Sequence, residues 1–319
     1  MRIHLPNSAF LGNIDPFLRS FDNSNLKELI ITANKKWISI HPVVLAMIAT
    51  LGESLELKKI ECEKLEATSK HYLERMKLFE FLDIESGIKI NKHESSGRFI
   101  PLTQIKTSEE LSDFIREMVP LLHISPQQAE PIKYIISELV RNVLEHAKSK
   151  SGAILCAQYY IKSNTIRIGI VDGGIGIKKS INQSYSAETD LDAIKLALIP
   201  GITGTTRNVG GTEFNAGAGL FFIKSIATAN KDFFMIYSGN GMYKLLKRSS
   251  EKIRLNADPF RDKHSRDDNY PYWQGTVLGI DISLENTAKF SILLDLIRKA
   301  YKKGIKERKK VQYKGARFI

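Results

Sequence analysis

The sequence contains little cysteine, and this shortage excludes two classes of protein. Only 2 cysteines occur among 319 residues. Cys62 and Cys156 lie far apart, and neither belongs to a CxxC or Cys/His spacing, so the sequence predicts neither a disulfide scaffold nor a zinc ribbon. We expect free thiols in a reducing compartment, with the cytoplasm as the default location.

Long apolar segments are also missing. The longest run, PVVLAMIATL at residues 42–51, is too short to cross a bilayer. The first residues, MRIHLPNSAF, lack the apolar core and the small-residue cleavage site of a secretory signal. The sequence therefore predicts a cytoplasmic chain with no membrane partner, long enough for two domains with hydrophobic cores.

Acidic residues are too few to balance the basic ones, and the formal net charge is +12. After Phe290 the chain carries ten Lys or Arg residues against Asp295 and Glu307. Such a run is typical of a surface that meets nucleic acid, acidic lipid or an acidic protein, and equally of a solvated helix. Aromatic residues are few there, which argues against base stacking. Both interpretations of the segment 287–319, a nucleic-acid-binding tail and a solvated basic helix, stay open.

Residues 1–105 predict a small α/β domain, because short β-branched runs alternate with helical patterns. Strands are expected at 26–34 and 57–65. Pro42 opens the first long helix, where its missing N–H costs least, and a second helix is expected at 67–83.

Residues 106–286 predict a second, larger domain. A helix at 108–122 precedes Ser125, Pro126 and Gln128, which supply an N-cap, an N1 proline and a capping-box partner for a long helix. A hairpin follows, and in its second strand, TIRIGIVD, isoleucines alternate with other residues, which predicts one buried face. Further elements are expected as a helix near 188–198, a helix in AGLFFIKSIATAN, and strands in FFMIYSG, MYKLLKR and GTVLGIDISL.

Four separated motifs carry polar or glycine-rich chemistry. Glu138, Asn142 and His146 are spaced by four residues and would lie on one stripe of the long helix. The other motifs are DGGIG at 172–176, after a predicted strand, GAGLFF from Gly217, and the pair Gly275–Thr276. Each motif alone is explained as well by an ordinary turn or a hydrogen-bonded polar cluster.

Together the motifs describe a nucleotide site. A carboxylate at a strand end can accept a hydrogen bond from the adenine amine, and glycines let the backbone approach a flat base. Glycines at a helix N-terminus expose N–H groups that bind phosphate. An Asn oxygen suits a divalent cation held mainly by phosphate and water, and a Glu one turn away suits a general base.

In this order the motifs resemble the GHKL superfamily of ATP-binding domains, over roughly 108–286. The resemblance implies a Bergerat-type α/β sandwich with a mixed sheet, which binds ATP and Mg²⁺ under a mobile lid. It implies that Glu138 is the general base, Asn142 the magnesium ligand and Asp172 the partner of the adenine amine, helped by Thr276 through a water molecule.

The same resemblance assigns the remaining site residues. Gly174 and Gly176 would line the base, and Gly217 and Gly219 would hold phosphate. His146 would lie near the phosphates. The stretch GITGTTRNVGGTEFNAG, residues 201–217 and called the lid segment here, matches the family's lid, with Arg207 as a further candidate.

The N-terminal domain resembles the STAS-like domains found beside such ATPases. It differs at Ser39-Ile40-His41-Pro42, where phosphorylation-switched members carry an Asp-Ser-Ser-Gly-like turn. The combined expectation is a regulatory protein that binds Mg·ATP, hydrolyses it slowly or switches conformation with it, and controls a protein partner. An anti-sigma-type serine/threonine kinase and a nucleic-acid-binding protein are the alternatives, and a homodimer stays open.

Overall fold

A seven-stranded sheet forms the centre of the fold, in the order β11–β10–β9–β12–β8–β7–β6. The computed structural model describes residues 1–24, 27–35, 38–54, 59–63, 70–87, 99–117, 124–202, 204, 219–247, 253–284 and 290–313. The strands of this sheet are β6 (Phe99–Ile105), β7 (Ala153–Tyr160), β8 (Thr165–Asp172), β9 (Phe234–Gly239), β10 (Gly241–Leu245), β11 (His264–Asp267) and β12 (Trp273–Ser283). Together with the helices they make a mixed α/β protein.

All neighbouring strands of this sheet are antiparallel, so the expectation of a mixed sheet is wrong for it. The chain joins β7 to β8 and β9 to β10 directly, and its longer helical excursions also return it in the antiparallel sense. Parallel pairing is found instead in the small sheet β1–β3–β5, formed by Arg2–Leu5, Glu28–Ala33 and Lys59–Cys62.

The two edge strands of the large sheet are irregular or short. Strand β6 precedes the domain boundary predicted at residue 105, yet it pairs with β7. Its register shifts between Ile100 and Thr103, around Pro101, which has no N–H to donate to the ladder. At the opposite edge β11 spans only His264–Asp267.

Helices cover one face of the large sheet. They are α5 (Ser108–Glu117), α6 (Pro126–Asn142), α7 (Gly176–Ile181), α8 (Asp190–Ala197), α9 (Gly219–Asn230) and α10 (Phe290–Tyr313). The predicted capping box of α6 is confirmed, since Ser125 accepts from the Gln128 N–H and the Gln128 side chain accepts from the Ser125 N–H. The core under these helices contains Ile166, Ile168 and Ile170 of β8.

The N-terminal elements cover the opposite face of the sheet. Besides the small parallel sheet they comprise β2 (Ser8–Ala9), β4 (Ser39–Ile40), α1 (Asp15–Arg19), α2 (Pro42–Ser54), α3 (Lys70–Arg75) and α4 (Leu78–Phe81). The helix expected at 67–83 is interrupted at Lys77, whose φ is 62°. Helix α2 packs so closely on β8 that a Cβ at Gly169 would overlap the backbone of Val43. Both faces of β8 are therefore buried, whereas the alternation of isoleucines predicted one.

Residues Phe290–Tyr313 of the basic C-terminal segment form the helix α10, and the inner face of this helix is part of the core. Tyr301 lies 6.0 Å from the ring of Phe221 and 5.7 Å from that of Phe222, both in α9. Phe290 contacts Tyr134 of α6, with 6.2 Å between ring centroids. Across the described parts of the chain, no helix is both long and apolar enough to cross a membrane.

Candidate functional site

A cavity of about 450 Å³ opens between α6, the ends of β8 and β12, and the N-termini of α7 and α9. This volume is in the range of small-molecule sites. Seven of the residues singled out in the sequence line it: Glu138, Asn142, His146, Asp172, Gly176, Gly219 and Thr276. The residues come from four motifs that are distant in the sequence, and the fold brings the described parts of all four to one place.

Glu138 and Asn142 lie one turn apart on α6, as predicted, and face the first residue of α9. A Cβ added at Gly219 would lie 3.0 Å from Oε2 of Glu138 and 3.4 Å from Nδ2 of Asn142. The N-terminus of a 12-residue helix, with its free N–H groups and partial positive charge, is therefore next to a carboxylate and an amide.

The predicted stripe changes geometry beyond Asn142, because Val143–Ala147 form a π-helical turn. The wider i→i+5 turn breaks the four-residue spacing on which the alignment of His146 was based. His146 still reaches the cavity wall, with Nε2 3.8 Å from a carboxylate oxygen of Glu145. Such turns are frequent at functional sites.

Asp172 is the buried acid of the cavity, with 2% of its surface exposed. It ends β8 opposite Thr276 of β12, and its Oδ1 accepts the N–H of Gly174 at 2.8 Å. Burial raises the pKa of Asp172 to about 6, while hydrogen bonds from Gly174 and Thr276 act in the opposite direction. The carboxylate therefore ionises within a pH range that experiments can reach.

The glycines after β8 let the chain pass close to the π-helical turn. A Cβ at Gly174 would overlap the carbonyl oxygen of Ala147, and the next N–H, that of Ile175, donates to this oxygen at 2.7 Å. Gly176 has φ +77°, a conformation that favours glycine, at the start of α7. Of the DGGIG motif, Asp172 and Gly176 line the cavity, whereas Gly174 packs against the π-helical turn instead.

Glu138 is the second perturbed acid. Burial raises its pKa, Arg141 lowers it and Glu145 raises it further. A carboxyl group with a raised pKa in a cavity is a candidate proton acceptor.

Two predicted site residues, Gly217 and Arg207, lie outside the described residues. Of the lid segment only Gly201, Ile202 and Gly204 are described, and Ile202 and Gly204 line the cavity.

Asn142 is the predicted metal ligand of the cavity. Within the described part of the chain no group of three or more acidic, histidine or cysteine residues has the geometry to hold a metal. Asn142 supplies one amide, so a cation at this point would need most of its ligands from a bound molecule and water.

Comparison with family models and with curated proteins gives no relative from which to assign the site. No family model matches the sequence, and no curated protein matches it significantly. The assignment of a function therefore depends on the geometry of the cavity.

Sequence reasoning missed several residues of the cavity wall. Arg141 and Glu145 line it beside the predicted stripe. They lie three and seven residues after Glu138, and this helical spacing could have predicted that they face the same side. Ser180 and Ile181 also line it, and they belong to α7, a helix that the sequence analysis did not predict.

Proposed function

We propose that the chain binds Mg·ATP in this cavity and that nucleotide binding or slow hydrolysis controls a protein partner. The observation that carries the proposal is the meeting of Glu138, Asn142, Asp172 and Gly219 around one cavity. Such a ligand needs three groups: a carboxylate that hydrogen-bonds the adenine, a helix N-terminus that binds phosphate, and an amide that coordinates the cation.

Asp172 would recognise the base. Its second carboxylate oxygen can accept from the exocyclic amine of adenine, whereas guanine presents a carbonyl oxygen at that edge, which a carboxylate repels. Thr276, directly opposite on β12, would support the same edge through a water molecule. Gly176 also lines the cavity and would leave room for the base, because it has no side chain.

Gly219 and the N-terminus of α9 would bind the phosphates, through free N–H groups and the helix dipole. The amide oxygen of Asn142 would complete the coordination of Mg²⁺, which prefers oxygen ligands and usually keeps phosphate and water around it. Magnesium would neutralise phosphate charge at this point. The donor set described above fits this arrangement.

Glu138 would accept a proton from the attacking water molecule. Its raised pKa keeps the carboxylate basic enough for that role, and Asn142 one turn away holds the cation end of the site. The same arrangement would serve transfer to a serine or threonine hydroxyl, the reaction of the anti-sigma-type kinase alternative.

The N-terminal elements would form a STAS-like regulatory unit, with the parallel sheet β1–β3–β5 and α2 as its core. This unit lies on the sheet face opposite the helices that border the cavity. A protein partner bound to this unit would respond to the nucleotide state through the sheet. The whole chain would be a GHKL-type ATPase with a fused regulatory unit.

Calorimetric titration with ATP and GTP, in the presence of Mg²⁺, tests the proposal. We expect selective ATP binding by the wild type and its loss in Asp172→Asn. Asp113→Asn, an exposed carboxylate paired with Arg116 on α5, is the matched control and should bind like the wild type. Equal affinity of Asp172→Asn and the wild type, or no binding by the wild type, would remove the adenine assignment.

A further inference from the structure

The outer side of α10 carries a fixed array of lysines. Between residues 298 and 310 the helix has eight basic residues and one acid, Glu307. Its exposed lysines, called the basic face here, are Lys299, Lys302, Lys303, Lys306, Lys309 and Lys310. The array extends over about 17 Å of helix, at 1.5 Å per residue.

Packing of the inner side of α10 holds this array in place. Ile297 and Tyr301 are buried against the core, and Arg308 donates to the carbonyl oxygen of Pro200 at 3.1 Å. Because the helix is already ordered and docked, a ligand on the basic face would not have to pay the entropy of folding it. The lysines therefore stand on a docked helix, whichever of the two interpretations of segment 287–319 applies.

Four of the lysines share one shallow hollow. Lys302, Lys306, Lys309 and Lys310 surround it together with Ile305, and its volume is about 450 Å³. Its floor consists of side-chain stems, so the ammonium groups stand around a nearly apolar surface. Such a surface suits a ligand with repeated negative charges rather than a single buried anion.

We propose that the basic face of α10 binds the phosphate backbone of a double-stranded nucleic acid. Duplex DNA carries about one negative charge per 1.7 Å of its axis, so a stretch of duplex as long as the array carries about ten phosphates, of which those on the near side could contact the lysines. Over residues 290–310 of α10, where side-chain burial is described, no aromatic side chain is exposed, and this disfavours single strands, because these are held largely by base stacking.

Other anionic partners fit the basic face less well. Protein interfaces are depleted in lysine, and the exposed apolar side chains of Ile292 and Leu296 lie at the opposite end of α10. A membrane would require an apolar helix face, and that face of α10 is packed against α9 and α6.

Fluorescence anisotropy with the full-length protein, in the absence of ATP, tests this proposal over a series of salt concentrations. The probes are labelled DNA and RNA duplexes, the matching single strands, anionic vesicles and a polyglutamate peptide. We expect a duplex of either kind to bind most tightly, with a slope of log K against log salt of about −3 to −5 if four to five lysines contact phosphates.

Two matched sets of variants locate the surface. Lys302→Glu, Lys306→Glu and Lys309→Glu together should weaken duplex binding by at least ~10-fold, and the three Gln replacements should reduce the salt slope by about 2 to 3. Lys106→Glu, Lys150→Glu and Lys162→Glu change the net charge equally at exposed positions outside α10 and should leave binding within about twofold.

Three results would overturn the proposal. They are no duplex binding at low salt, an equal loss in both triple Glu variants, and tighter binding of vesicles or polyglutamate than of either duplex. Because these experiments contain no ATP, their results do not depend on whether the ATP proposal is correct. Calorimetry tests that proposal separately.

Discussion

His41 and Asp281 form a buried pair between the N-terminal elements and the large sheet. Nε2 of His41 lies 3.1 Å from Oδ1 of Asp281, and their side chains are 0% and 6% exposed. The N–H of Val43 donates to Nδ1 of His41 at 3.0 Å, so the ring proton is on Nε2 and points at the carboxylate. The pair fixes the start of α2 on β12.

Stability should depend on pH through His41. Burial lowers the pKa of His41 below its ordinary value of 6.5, although Asp281 acts in the opposite direction. Below pH 6.5 the unfolded chain therefore binds more protons, and stability falls as the pH decreases toward the folded pKa. Urea unfolding of the wild type and His41→Gln, from pH 7.5 to 5, should show a shallower decrease in the variant. Parallel curves would contradict this role.

Removing the His41 side chain should be costly at any pH. His41→Ala leaves a cavity and an Asp281 carboxylate that has lost a donor, so we expect the free energy of unfolding to fall by about 2 to 4 kcal/mol. Denaturant unfolding at pH 7.5 measures it. His4→Ala, an exposed histidine bonded to Thr32, is the control and should change stability little.

The affinity for ATP should decrease in acid because of Asp172. The raised pKa of about 6 means that protonation removes the acceptor for the adenine amine below that pH. At pH 5 about one tenth of the carboxylate is ionised, which predicts a roughly 10-fold loss of affinity relative to pH 8. Calorimetric titrations of the wild type at pH 8 and pH 5 measure the change, and an affinity that stays constant between them would argue against the assignment.

The raised pKa of Asp172 should make folding stability depend on pH in the opposite direction from ATP affinity. Because the folded pKa of Asp172 lies above its ordinary value of 3.8, the folded state binds more protons between these values. The stability that this group contributes is therefore lost as the pH rises through that window. Asp172→Asn should be more stable than the wild type at pH 7.5, and this difference in stability should be smaller at pH 4. Thermal unfolding at both pH values measures it.

Glu138→Gln should separate binding from chemistry. The amide keeps the size of the side chain but cannot accept the proton, so hydrolysis should fall by about 100-fold or more while ATP still binds. Phosphate release and calorimetry measure the two effects. Glu145→Gln, a more exposed carboxylate of the same cavity, is the matched control. Undiminished hydrolysis in Glu138→Gln would exclude Glu138 as the base.

Labelled γ-phosphate separates hydrolysis from kinase activity in the same samples. Label in inorganic phosphate supports the ATPase, whereas label on a protein supports the kinase alternative.

Gly169→Val should loosen the N-terminal elements from the sheet. The added side chain would meet the backbone of Val43, which cannot move away without shifting α2. Overpacking of this kind typically costs about 1 to 3 kcal/mol. Denaturant unfolding and limited proteolysis check it, and cleavage should begin in residues 1–87. Wild-type stability would show that α2 can shift freely on β8.

Local signals in the sequence predicted some elements well. The capping box at Ser125 and Gln128 depends on neighbours in the chain, and it forms as expected. Asp172 at the end of a strand and Gly219 at the start of a helix were likewise found where predicted. Each of these features is determined by a few consecutive residues.

Features that depend on distant packing were missed or wrong. The burial of both faces of β8 comes from α2, more than a hundred residues earlier, which the alternation of Ile166, Ile168 and Ile170 cannot report. The π-helical turn at Val143–Ala147 has no signal in residue type. Strand β11 was missed because His264–Asp267 lacks apolar alternation. The resemblance implied a mixed sheet, but every strand pair of the large sheet is antiparallel.

The edges of the large sheet bear on self-association. A regular exposed edge strand invites pairing with another chain, but β6 contains Pro101 and a register shift, and β11 is short and carries Arg266 and Asp267. Both are features by which proteins suppress edge-to-edge aggregation. Two copies of this chain would therefore gain little by continuing the large sheet from one to the other.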